Sequence, residues 1–148
     1  MEFETKVQFL TQPEHNRRTI VISDIHGHRA WLEKLLKKVD FSEKDILIIV
    51  GDMIEKGPES LNTIRCIMEL CEKYTVYPMM GNVDLWRIQM LLTEDGSLDQ
   101  ELYETNERMR QYWKATFFQD LCREAGVSVK TPEEIPAARE AVVAKFQK

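Results

Sequence analysis

The run "DILIIV", Asp45 to Val50, does most to limit what this chain can fold into. Ile46 to Val50 are all apolar, with no polar alternation. That pattern predicts a parallel strand covered on both faces, not a half-solvated antiparallel one. The flanking segments agree. "RTIVIS", Arg18 to Ser23, is β-branched and bounded by polar residues, so it reads as a strand. "RAWLEKLLKKV" puts Trp31, Leu32, Leu35, Leu36 and Val39 on one helical face. A second helix spans 58–73, with Pro58 suited to its first turn. It is expected to bury Leu61, Ile64, Met68 and Cys71, with Ile67 and Leu70 alongside. "YTVYPMM" reads as a third strand, and Pro78 marks it as an edge or an irregular end. Strand, helix, strand, helix, strand is the order of an α/β fold with a parallel βαβαβ core and right-handed crossovers.

After Leu85 the pattern changes. "LWRIQMLL" looks helical, "TEDGSLDQ" reads as loop, and residues 99–125 place Leu102, Met109, Tyr112, Trp113, Phe117 and Leu121 at helical spacing. "TPEE" predicts a helix start, with Thr131 as N-cap, Pro132 first and Glu134 closing a capping box. The helix it opens carries Ile135, Ala138, Val142 and Phe146 on one face. The chain therefore divides into an arm or edge strand (1–17), an α/β core (18–90) and a helical extension (91–148). Its 148 residues suit a single domain.

Twenty Lys and Arg against 25 Asp and Glu give a net charge of -5, which offers no overall attraction to nucleic acid or an anionic membrane. No apolar run approaches the roughly 18 residues of a membrane helix. The N-terminus "MEFETKVQFL" is acidic and polar, unlike a signal or transit peptide. Cys66, Cys71 and Cys122 form no CxxC pair and suit reduced thiols at helix positions. Together these features point to a cytoplasmic protein.

The chemistry concentrates at the strand ends, where ligands bind in open parallel sheets. Strand one runs into Asp24 and His26, strand two into Asp52, and strand three into Asn82 and Asp84. Oxygen and imidazole donors together suit Mn²⁺, Fe²⁺ or Zn²⁺ better than Ca²⁺. A D-x-H pair can reach one ion from a strand-to-turn bend, and a carboxylate such as Asp52 can bridge two. His28 reads as an exposed turn residue or as a lining residue of the site beside Gly27, His15 as an uninvolved loop residue, and Trp113 as helix-packing core.

"SDIHGH", "GDMIEKG" and "GNVD" resemble, in order and spacing, the D-x-H, G-D-x-x-D-[RK]-G and G-N-H-[DE] motifs of calcineurin-like metallophosphoesterases. That superfamily includes bacterial serine/threonine protein phosphatases and diadenosine tetraphosphate hydrolases. The resemblance implies the four-layer αββα fold, of which only the first half is legible here. It implies two divalent ions (Mn, Fe or Zn), a phosphorylated substrate and hydrolysis by water held between the ions. Residue by residue, it implies that Asp24 and His26 bind the first metal, Asp52 bridges both, and Asn82 binds the second. Lys56 would meet the substrate phosphate, where the family usually has Arg. Glu55 would support the third-motif histidine from behind, and Asp84 would close that motif among the catalytic residues, with Asp52.

Two departures follow. Val83 stands where the family has a histidine that protonates or stabilises the leaving oxygen, and loss of a general acid typically costs a factor of ~10²–10⁴. No histidine follows His28, so the two further histidine ligands that the family draws from later strands are missing. The chain reads as an N-terminal piece of the fold, from a truncated gene, a split gene or a trimmed sequence, and weak or inactive alone. Half a sandwich should leave apolar sheet surface uncovered, which predicts self-association or a second polypeptide supplying the missing half. The alternative is a non-catalytic binding or scaffold protein with a degenerate metal site.

Overall fold

A computed structural model describes residues 17–91, 101 and 112–146. The elements run β1 (Thr19–Ile22), α1 (Arg29–Lys38), β2 (Ile46–Val50), α2 (Ser60–Lys73), β3 (Thr75–Met79) and α3 (Asn82–Leu91). A 3₁₀ turn at Tyr112–Lys114 leads into α4 (Thr116–Ala125), and a second at Pro132–Glu134 into α5 (Ile135–Phe146). The strands form one parallel sheet in the order β1-β2-β3. The mixed α/β architecture expected from the sequence is present. The expected arm, the loop at 93–100, and Leu102 and Met109 lie outside the described residues.

The register aligns Ile20, Leu47 and Val76 in one row, and Ile22 with Ile49 in the next. These residues share a core with Leu32 and Leu36 of α1 and Ile67 and Leu70 of α2. Both crossover helices therefore lie over the same face of the sheet. The opposite face carries Val21, Ile48 and Tyr77 in one row and Val50 beside Met79. There Val21 is 61% exposed, Val50 45% and Met79 46%. The expectation that β2 is covered on both faces is thus corrected for the described residues: its apolar run is complete, but among them helices cover only one face. Arg17 ties the start of the sheet together, donating to the carbonyls of Glu43 and Asp45 and to Thr75 Oγ1. Beside it, Arg18 pairs through two nitrogens with the Asp45 carboxylate at 2.9 Å.

Two helix faces differ from their sequence reading. On α1, Leu32 and Leu36 are buried, whereas Trp31 is 71% exposed and Leu35 is also exposed. On α2, the buried residues are Ser60, Thr63 and Ile67, while Met68 and Cys71 face solvent. The reason is the partner. Leu61 packs under the helical unit, and the Leu61–Ile64–Met68–Cys71 stripe runs out from beneath it along α2.

The helical unit has its own core of Phe118, Leu121, Cys122, Val129, Ile135, Ala138 and Val142. Trp113 and Phe117 pack against it, as the helical spacing suggests. Burial pushes the Cys122 thiol up to about 11, so it acts as a small hydrophobe and not as a nucleophile. Gly126 ends α4 at φ +75, the left-handed conformation that glycine adopts most cheaply. Glu134 reaches back to the amides of Lys130 and Thr131, consistent with the predicted capping box. On α5, Ile135, Ala138 and Val142 are buried as expected, but Phe146 is exposed. Asp120 of α4 caps α2 from outside by accepting from the Leu61 amide at 3.1 Å. Arg65 pairs with Glu124 through its two terminal guanidinium nitrogens.

Candidate metal centre

The loops after β1 and β2 do not separate when the strands end. His26 N donates to Asp52 O, Gly27 N to Met53 O, and Gly57 N to His26 O, all within 2.9 Å. The first and second motifs are thus zipped backbone to backbone. The contact has no room for side chains: a Cβ on Gly57 would lie 2.3 Å from His26 O. The third motif is locked in the same way, since a Cβ on Gly81 would lie 2.2 Å from both the amide nitrogen and Oδ1 of Asp52. The glycines that punctuate the motifs are the points where three loops touch.

The backbone is also strained there. Asp24, His26, Asp52, Glu55 and Lys56 all have positive φ, between 48 and 68. Asp and His tolerate this region better than most residues, and Glu and Lys less well. Such strain persists only where the surroundings over-determine it, and it concentrates at functional sites.

The strain brings Asp24, His26 and Asp52 together, with one ligand atom of each inside a 4.8 Å span. His26 Nε2 lies 3.5 Å from Asp24 Oδ1 and 3.8 Å from Asp52 Oδ2. His26 Nδ1 sits 3.2 Å from the Ile54 carbonyl. Donation there fixes the tautomer and turns the Nε2 lone pair toward the two carboxylates, as in metal-ligating histidines. The donor set fits a single divalent ion of the borderline class. Lys56 Nζ, 2.8 Å from His26 Nε2, already places a cation at this spot.

The remaining expected residues surround the triad. Asn82 is exposed at the first position of α3. Val83 turns its amide to Asp52 Oδ1 at 3.2 Å, so its backbone braces the triad while its side chain brings no acid. Asp84 is buried, and its carboxylate accepts from the amides of Met53 and Ile54 through Oδ1 and of Gly81 through Oδ2. It staples the second motif to the third. Glu55 is buried too, accepting from Arg87 Nε at 2.9 Å and from the Thr116 amide at 3.1 Å. It therefore links the site loop to α3 and to the start of α4. Sequence reading missed Arg87, whose only signal is one charge inside the apolar segment "LWRIQMLL". It also missed Ser60, fully buried, whose Oγ accepts from the Glu55 amide.

Comparison with known proteins bears on the same loops. The calcineurin-like phosphoesterase profile matches residues 17–133. The chain belongs to this family. Serine/threonine-protein phosphatase 2 of Escherichia coli K12 is 35% identical over 85 residues, covering 57% of this chain and 37% of the relative. The symmetrical bis(5'-nucleosyl)-tetraphosphatase of Coxiella burnetii (strain RSA 493 / Nine Mile phase I) is 34% identical over 92 residues, covering 62% of this chain and 30% of the relative. A crystal structure assigned to a diadenosine tetraphosphatase is 37% identical, with a TM-score of 0.48, over 54% of this chain and 35% of that one. The chain spans about a third of the length of the curated relatives it matches. Among the described residues no helix is long and apolar enough to cross a membrane.

Proposed function

We propose that this phosphoesterase-family chain binds a divalent metal ion at Asp24, His26 and Asp52 and uses it to engage a phosphoester. The observation that carries this reading is the convergence of those three side chains on one point, from loops held together by backbone contacts. Mn²⁺, Fe²⁺ or Zn²⁺ matches the donors. A bound ion there would polarise a phosphoryl oxygen and acidify a coordinated water.

The chain's own groups do the rest. Asp24 and Asp52 supply negative charge to hold the cation, and His26 is oriented by Ile54 O. Lys56, on the same side, supplies a positive charge for the phosphate, as a point charge and not as a fork. Asp84, with three amide donors on its oxygens, acts as a positioning residue. Asn82 is the candidate donor for a second ion, beside the bridging Asp52. Phosphoproteins, nucleotides and polyphosphates are the candidate substrates, and hydrolysis favours good leaving groups because Val83 cannot protonate one. The test supplies purified chain with Mn²⁺ and a chromogenic aryl phosphate. Turnover that Asp52→Asn abolishes supports the reading, and no difference between the two overturns catalysis by this chain.

A second reading, a binding protein with a reduced metal site, is favoured by Val83, which offers no acid in the third motif. Metal stoichiometry after dialysis separates the two. One or more ions per chain supports the first reading, and less than one supports the second.

A further inference from the structure

Asp24 and His26 of the triad line a groove of about 300 Å³ between the end of β1 and helix α1. Lys56, His28, Trp31 and Leu35 line the same groove. The Trp31 wall is unlike an ordinary helix surface. Trp31 is 71% exposed although its neighbours Leu32 and Leu36 are core. Its ring lies nearly parallel to the His28 imidazole, centroids 4.6 Å apart and 17° between planes. His28 closes the first motif, whose zipped, strained backbone positions the stack. An indole held this way loses little rotamer freedom on binding a ligand, and most of its surface is open to solvent.

We propose that this groove is a subsite for the planar aromatic group of a phosphoester, with Trp31 as the stacking platform and His28 as its backing. The ligand class is a nucleoside phosphate: phosphate at the triad and Lys56, base on the indole. The proposal rests on the phosphoester reading above and narrows its substrate. Base–aromatic stacking tolerates any base, because every base has a π-face, and it is worth on the order of tenfold in affinity per base. The groove volume is at the lower end of ordinary ligand sites, suiting one nucleoside and not an extended peptide.

The test is calorimetric titration of the full chain in Mn²⁺ with adenosine 5'-monophosphate, ribose 5-phosphate and a phosphoserine peptide. The nucleotide is expected to bind about tenfold tighter than the sugar phosphate. Trp31→Ala is expected to erase that ratio while leaving ribose 5-phosphate affinity unchanged, and Trp31→Phe to restore most of it. General damage from the substitution would move both ligands. An unchanged ratio in Trp31→Ala, no ratio in the wild type, or tighter binding of the peptide overturns the subsite. So does a change of molecular mass by light scattering in Trp31→Ala, which would make the ring part of an interface. If no phosphate compound binds, the phosphoester reading fails by itself, and adenosine alone then decides the platform. Quenching of wild-type fluorescence that Trp31→Phe abolishes upholds it, and no quenching removes it.

Discussion

The loops that carry Asp24, His26 and Asp52 and the helical unit at 112–146 are built by opposite means. The first holds three short loops together with backbone-to-backbone contacts, positive φ at five non-glycine residues and buried carboxylates satisfied by amides and by Arg87. The second buries a cluster of aliphatic and aromatic side chains behind regular helices, with Gly126 as its one described residue of positive φ. The difference shows where strain is tolerated. The helical unit can relax around a lost contact, but the triad has no slack, because each motif is the wall of the next. Glu55 and Asp120 join the two regions, one reaching the start of α4 and the other the start of α2.

The comparison breaks most readily at the glycine contacts. Gly81→Ala drives a methyl group into Asp52 and should cost roughly 3 kcal/mol or more, with loss of metal binding. Urea unfolding and Mn²⁺ titration would show it. Gly126→Ala, with nothing within 4 Å of the new methyl, should cost only about 1–2 kcal/mol and leave metal affinity intact. Equal effects would erase the distinction between the regions. Phe118→Ala should lower stability by about 3–5 kcal/mol through the cavity it leaves, without changing metal affinity in the protein that remains folded. Coupled loss of both would show that the helical unit shapes the site, with Glu55 the obvious route.

Smaller effects sharpen the picture. Lys56→Gln removes the cation beside His26 Nε2 and should raise Mn²⁺ affinity on the order of tenfold, while weakening phosphate binding. Asp120→Ala removes the cap on α2 and should cost about 1 kcal/mol in thermal or chemical unfolding. The last test concerns acid. The Arg18 guanidinium, with help from the Ser42 amide, holds Asp45 down to about 2 from an ordinary 3.8. A depressed carboxylate pKa adds stability that is complete above the unfolded value and fades as pH falls toward the folded one. Wild-type stability should therefore decline between about pH 4 and pH 2, and Arg18→Ala should flatten that part of the profile.

Much of the fold was legible because its signals are local. The β-branched runs, their spacing and the capping residues around Pro132 state strand and helix directly, and the three glycine-punctuated motifs state where chemistry gathers. Faces were harder. Trp31 and Met68 follow the apolar periodicity of their helices yet stand in solvent, because periodicity says which residues share a face and not whether anything covers it. The reading of "DILIIV" erred for the same reason.

The sequence by itself determined the βαβαβ order, the residues at the strand ends and the place of Val83 in the third motif. Only the tertiary structure decided how those residues are used. It gathered Asp24, His26 and Asp52 within one ion's reach, set Asp84 and Glu55 to bracing, and left Trp31 open beside the triad. The physical reason is that a motif fixes residue types along the chain, whereas a site is made by distances between segments. Those distances are set here by contacts so close that only glycine fits between them.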